Sequence, residues 1–286
     1  MAAQWSLRDK TCMITGATSG IGRAAAIEIA RLGARLIVVG RDRERGEAAL
    51  REIRDRSGNG DVELLLADLS SQQSIRALAG ELLARDRPLH VLVNNAGIFA
   101  LRRSLTVDGI ESVFAVNHLG YFLLTNLLLD RLKRSAPARI VNVASDAHAW
   151  GAIDFDDLGG ERRYGWMRIY GRSKLANILF TYELARRLAG SGVTVNCLHP
   201  GAVATRLGAQ NGAIARFLIG LLRPFLRMPE AGADTIVHLA ASPELDGVTG
   251  KYFVDRREGR SSRESRDGAV ARRLWEVSAE MTGVSA

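Results

Sequence analysis

Short apolar runs rich in β-branched residues alternate along this chain with longer segments whose apolar positions recur every three to four residues. The short runs predict strands at 11–15, 35–39, 62–67, 89–95, 139–144, 193–198 and 251–254. The longer segments predict helices near 21–32, 42–57, 71–85, 106–134, 169–190, 229–241 and 268–281. Most of the strands are apolar at consecutive positions, as in strands buried on both faces. Seven such strands alternating with helices read as an α/β fold: a doubly wound, parallel seven-stranded sheet of Rossmann type with helices on both faces. Gly33 and Gly58 fall where helices should stop. No repeat, Pro-rich linker or low-complexity segment interrupts residues 1–286, so a single domain is expected.

Composition narrows the class. A chain of 286 residues, 47% hydrophobic and 24% charged, is ordinary for a folded protein. The net charge of +8 raises the question of a nucleic-acid partner. However, Arg41, Arg43, Arg45, Arg51, Arg54 and Arg56 interleave with Asp42, Glu44, Glu47, Glu52 and Asp55, the pattern of a solvated, ion-paired helix face. No nucleic-acid partner is expected. No unbroken run offers the roughly 18 to 20 apolar residues that a membrane span requires. The start, "MAAQWSLRDKTCMITG", lacks the apolar region of a signal peptide. Cys12 and Cys197 lie in strand-like runs and read as buried thiols. Together these features predict a cytoplasmic protein.

The chemistry begins after the first strand. "TGATSGIGRA" carries glycines at 16, 20 and 22 and opens the first helix. Glycines there permit a tight turn and close backbone approach, so that amide groups and the helix N-terminus can hold a pyrophosphate. The second strand ends "VVGRD", with Gly40 where a binder of NAD would carry an acid, and Arg41 following. A guanidinium suits the 2′-phosphate of NADP, so NADP is favoured over NAD. Asp42 is read as the start of the next helix. Asp68, after the third strand, fits either a hydrogen bond to adenine or the N-cap of the helix at 71–85.

Only four of the 39 basic residues are lysine, and one of them, Lys174, lies four residues after Tyr170. None of the other four tyrosines has a lysine at that spacing. An i, i+4 pair shares one helix face. A free phenol titrates near ~10, and a neighbouring cation is expected to lower that by about 1 to 3 units, toward the range useful for acid–base work.

"TGATSGIG", "NNAG" (94–97), "VNHLG" (116–120), "YGRSK" (170–174) and "HPGAVAT" (199–205) together resemble the motif series of the short-chain dehydrogenase/reductases, from about Leu7 to Gly283. "VNHLGYFLLTNLLL", "SKLANILFTYELARRL", "GKYFVD" and "ARRLWEVS" resemble the retinol-dehydrogenase-like branch. The resemblance implies hydride transfer between a nicotinamide and an alcohol or carbonyl group, with Tyr170 as general acid/base. It also implies that Lys174 orients the ribose, Ser145 binds the substrate oxygen and Asn117 holds a relay water. Many relatives read Ser-Ser where this chain has Ala144 and Ser145. Asp146 beside it has no evident role in the sequence. The implied cofactor contacts are Gly16, Ser19, Gly20, Ile21, Gly22, Arg41, Asp68, Leu69, Asn95, Ala96, Gly97, Tyr170, Lys174, Pro200, Gly201, Val203 and Thr205. His118 and His199 are read as structural, since no metal-ligand spacing joins them to His90, His148 or His238. No metal is expected.

The 25 residues from Ser145 to Tyr170 exceed the usual interval and resemble an insertion of that branch. Residues 206–228, where the family carries a substrate lid, are apolar and cationic. They fit a lid over a hydrophobic substrate, ordinary lid packing, or an interfacial helix touching a membrane, which is allowed but not expected. Two other functions remain open at this point: a cofactor-sensing binding protein, and reduction of an activated C=C bond by the same residues. The resemblance also implies a dimer or tetramer through the helices at 106–134 and 169–190.

Overall fold

In the computed structural model, which describes residues 5–201 and 228–285, seven strands lie where the apolar runs predict them. They are β1 Thr11–Thr15, β2 Arg35–Gly40, β3 Val62–Leu66, β4 Val91–Asn94, β5 Ala138–Val143, β6 Val193–His199 and β7 Tyr252–Val254. All seven are parallel, in the order β3-β2-β1-β4-β5-β6-β7. The sheet nevertheless has eight strands, which corrects the expected seven. β8, Arg257–Glu258, pairs antiparallel with β7 at the edge. Asp255 and Arg256 turn the chain with φ of 48° and 62°, the left-handed pair of a two-residue hairpin. A strand of two exposed charged residues has no apolar run to announce it.

The helices are α1 Gly20–Arg31, α2 Arg43–Ser57, α3 Gln72–Ala84, α4 Ser112–Arg134, α5 Trp166–Arg187, α6 Pro229–Ala241 and α7 Gly268–Thr282. α1, α2 and α6 bury one face of the sheet; α3, α4 and α5, with α7 packed on α5, bury the other. The chain winds outward from β1 to β3, then crosses back to β4 on the other side of β1. In such sheets the carboxyl ends of the strands on either side of that reversal splay apart and form the binding crevice.

α4 differs from its prediction at both the start and the composition. Residues 106–111 form a turn, not helix, with Leu105 bridging to Glu111. The buried Glu111 carboxylate caps the helix by accepting from the Val113 and Phe114 N–H groups at 2.9 and 2.8 Å. The 23-residue helix contains an 18-residue window of mean hydropathy 1.4, long and apolar enough by length and composition to cross a membrane. No unbroken apolar run is needed for this: Asn117, His118, Thr125 and Asn126 break the run of apolar letters without making the window polar. The cytoplasmic assignment leaned on the absence of such a run and is withdrawn. Within the fold, 78% of the window is buried.

Candidate active site

The loops after β1, β4, β5 and β6 meet at the carboxyl edge of the sheet, where backbone and small residues build one half of the site. Gly16 has φ of +66°, and an added Cβ would lie 2.7 Å from the Ala96 Cα. At Gly22 a Cβ would overlap the Asn95 amide and stand 2.5 Å from the Gly16 carbonyl oxygen. Asn95 explains this closeness: its Nδ2 donates to the carbonyls of Thr15 and Gly16 at 2.8 and 3.3 Å. The Thr15 hydroxyl accepts from the Asn95 and Ala96 N–H groups at 2.9 and 3.1 Å. Ser19 precedes α1 in an extended conformation, its side chain caps nothing, and no acid stands in the first turn. The first N–H groups of α1 and the positive end of its dipole face the loop, a fit for phosphate.

At the end of β2, a Cβ on Gly40 would overlap the Thr18 methyl, so an acid there would require Thr18 to move. Asp42 is the N-cap of α2, accepting from the Arg45 N–H at 2.9 Å, and that bond holds its carboxyl below the usual range. Arg41 is exposed beside it. Asp68 accepts from the N–H and hydroxyl of Ser70 at 2.9 and 2.8 Å. The N-cap of α3 is Ser71, so that reading of Asp68 is corrected. The Leu69 side chain belongs to the core.

The other half of the site is made of side chains. Asn117 sits in a π-helical turn at Ala115–Leu119 within α4, a distortion frequent at functional sites. Fully buried, it accepts from the Ile98 N–H at 2.7 Å and donates to the Ile98 carbonyl and the Ser173 hydroxyl, each at 3.0 Å. Both faces of its amide are thereby fixed. Gly97 brings the chain past it, with an added Cβ 3.4 Å from Asn117 Oδ1 and 3.6 Å from Lys174 Nζ.

Tyr170 and Lys174 lie one turn apart on α5, the Lys174 ammonium 5.6 Å from the phenol ring centroid. Lys174 is buried and donates to the Val143 carbonyl at 3.1 Å. Burial pushes it down to about 8. Tyr170 is pushed up to about 12, by burial first; a hydrogen bond from Ser145 acts downward and the Asp146 charge upward. The expected lowering by Lys174 is therefore not the effect that wins. Burial drives both groups toward their neutral forms.

Ser145 follows β5. Its hydroxyl donates to Asp146 Oδ1 at 3.1 Å and accepts from the Ala147 N–H at 3.2 Å. Its carbonyl oxygen lies 2.6 Å from His148 Nδ1, and His148 Nε2 accepts from the Ser262 N–H at 3.0 Å. His199 Nδ1 accepts from the Asp146 N–H at 3.2 Å. His118 is buried against the Ser278 hydroxyl at 2.8 Å and burial pushes it down to about 4, as befits a core residue. Pro200 and Gly201 follow β6, while Val203, Thr205 and nearly all of the expected lid at 206–228 lie outside the described residues.

Several residues of the site had no signal in the sequence. Phe99 meets Tyr170 edge-on at 5.8 Å and Trp166 edge-on at 4.8 Å, forming an aromatic series that leads outward from the phenol. Arg172, almost fully buried, donates to the carbonyls of Ala152, Asp157 and Leu158 and so fastens the insertion to α5. These contacts join distant segments, and no fixed spacing marks them.

The family model described as short chain dehydrogenase matches residues 10–214. Human retinol dehydrogenase 14 is 48% identical, over 97% of this chain and 88% of its own. Among solved structures, an uncharacterized protein from Mycobacterium Paratuberculosis superposes with a TM-score of 0.81 at 36% identity, covering 99% of this chain and 97% of its own. Pseudomonas aeruginosa RhlG, solved as an active-site complex with NADP, superposes with a TM-score of 0.69 at 29% identity, covering 88% of this chain and 97% of its own. A glycine loop locked to the β4 loop, a tyrosine and lysine one turn apart, and a serine beside them thus occur in a sequence matched over most of its length: the chain belongs to the short-chain dehydrogenase family.

Proposed function

We propose that this protein is an NADP(H)-dependent oxidoreductase that moves a hydride between the nicotinamide and a hydrophobic alcohol or carbonyl compound, of the retinol/retinal kind or an aldehyde or ketone. The observation that carries this reading is the convergence of Tyr170, Lys174, Ser145 and Asn117 at the mouth of the crevice. NADP(H), when bound, supplies or receives the hydride. The glycine loop with the free amide end of α1 suits its pyrophosphate, and Arg41 suits the 2′-phosphate. Lys174 has donors left beyond its bond to Val143 and would hold the ribose hydroxyls.

In the reducing direction the phenol of Tyr170 donates its proton to the carbonyl oxygen, and in the oxidising direction the phenolate takes the alcohol proton. Ser145 orients that oxygen. Asn117, locked between Ile98 and Ser173 in the π-helical turn of α4, would hold a relay water near Lys174. The edge-on rings of Phe99 and Trp166 suit an extended apolar substrate, in keeping with relatives named retinol dehydrogenases. A single dinucleotide-binding domain and pairing through α4 and α5 belong to the same proposal; light scattering of the purified protein tests the pairing.

The function is tested by NADPH oxidation with retinal, medium-chain and aromatic aldehydes and a steroid ketone, with NADH in parallel and products identified. Alcohol products formed with preference for NADPH support the reading. A saturated C=C bond with the carbonyl intact, or NADPH binding without turnover of any substrate, overturns it.

A further inference from the structure

Asp146 lies between three parts of the site, and the reaction as described does not use it. Its carboxylate accepts the Ser145 hydroxyl proton through Oδ1 at 3.1 Å. Its other oxygen lies 3.6 Å from His199 Nε2, while its own N–H donates to His199 Nδ1 at 3.2 Å. Because Nδ1 accepts that N–H, a ring proton on Nε2 faces the carboxylate. His199 thus fixes the backbone of Asp146 from the end of β6 and faces its side chain. His148 fixes the carbonyl of Ser145 from the opposite side, tying it to Ser262.

We propose that Asp146, held beside His199, is a positioning residue that competes for the Ser145 hydroxyl proton and opposes loss of the Tyr170 proton, so that the phenol form needed for carbonyl reduction persists to higher pH. The inference rests on the function proposed above. Two effects share one sign. Asp146 competes for the single Ser145 hydroxyl proton, whose bond to Tyr170 acts to lower it, and a nearby carboxylate opposes a second negative charge. The Asp146 charge also acts on Tyr252 of β7 in the same direction. The other ionisable groups around this pair, among the described residues, are Lys174 on α5, Tyr121 on α4, His148 after β5 with Glu264 near it, and His199 on β6. Burial drives Lys174, Tyr121 and His148 toward their neutral forms. Because the Asp146 side chain is 68% exposed, solvent screens its charge and the effect is modest.

The test is the pH profile of alcohol oxidation with NADP in the parent, Asp146→Asn and Asp146→Glu. In Asp146→Asn the rising limb should move down by about 0.5 to 1 pH unit, giving a roughly 3- to 10-fold gain in oxidation on that limb. Asp146→Glu should keep most of the parent position. Superposable profiles for the parent and Asp146→Asn, or an upward move, would overturn the proposal. Tyrosinate absorbance, taken as the difference between each protein and its Tyr170→Phe counterpart, reads the same displacement without turnover. Absence of turnover in the parent would therefore count against the proposed function, while the absorbance titration still decides the role of Asp146.

Discussion

The two halves of the site recognise by different means. Around β1, β2 and β4 the surface is largely backbone and glycine, and the Asn95 amide and the Thr15 hydroxyl are spent on holding two loops together. Around β5, β6 and α5 the surface is made of ionisable side chains whose behaviour is set by burial and by partners far away in sequence. The first half is suited to hold a ligand by shape and fixed dipoles. The second holds protons. A change in one half should therefore alter binding, and a change in the other should alter the chemical step.

The largest expected effect is in the proton-holding half. Tyr170→Phe should lower turnover by about 10² to 10⁴ while NADPH binding, followed by fluorescence, stays near the parent value. Activity equal to the parent would remove Tyr170 from its role. In the shape-defined half, Gly22→Ala places a methyl against Asn95 and the Gly16 carbonyl. Overpacking there should cost about 1 to 3 kcal/mol, seen as a lower Tm together with a higher KM for NADPH. A Tm unchanged from the parent would mean the loop yields freely.

Arg41→Asp should raise the KM for NADPH about tenfold or more while changing that for NADH far less, since only one of the two carries the 2′-phosphate. An equal response of both cofactors would place the phosphate elsewhere. The smallest effect concerns Lys174, which burial lowers from 10.5 to about 8. Below pH 8 the ammonium is buried charged, and between about 8 and 10.5 the unfolded chain holds a proton that the folded chain does not. Stability contributed by this group therefore rises with pH across that window. Lys174→Met should raise Tm by a few degrees at pH 7, with the gain gone above pH 10.5, although the variant is expected to lose activity. A lower Tm at pH 7 would show that the bond to Val143 outweighs the desolvation.

The difference between the halves also explains how much the sequence discloses. Glycine spacing after a strand is a local constraint, so Gly16, Gly20 and Gly22 were legible, as was the Tyr170–Lys174 pair, which one helical turn brings together. The parallel core was legible because each strand carries its own apolar run. β8 was not, because its two residues are charged and exposed. The direction of the Tyr170 perturbation is not legible, since a lysine four residues away is visible in a sequence while burial and the approach of Asp146 are not. The clamp of His199 on Asp146 spans 53 residues and depends on β5 lying beside β6. The apolar window of α4 is not evident as a run because polar letters are scattered through it, and those letters include Asn117 of the candidate site.

The most direct test of the account measures the NADPH dissociation constant and the single-turnover rate of retinal reduction together, on Tyr170→Phe and on Arg41→Asp. The account predicts a crossed pattern. Tyr170→Phe should lose rate and keep affinity, whereas Arg41→Asp should lose affinity and, at saturating NADPH, keep rate. Both quantities falling together in both variants would contradict the separation of binding from proton transfer on which the account rests.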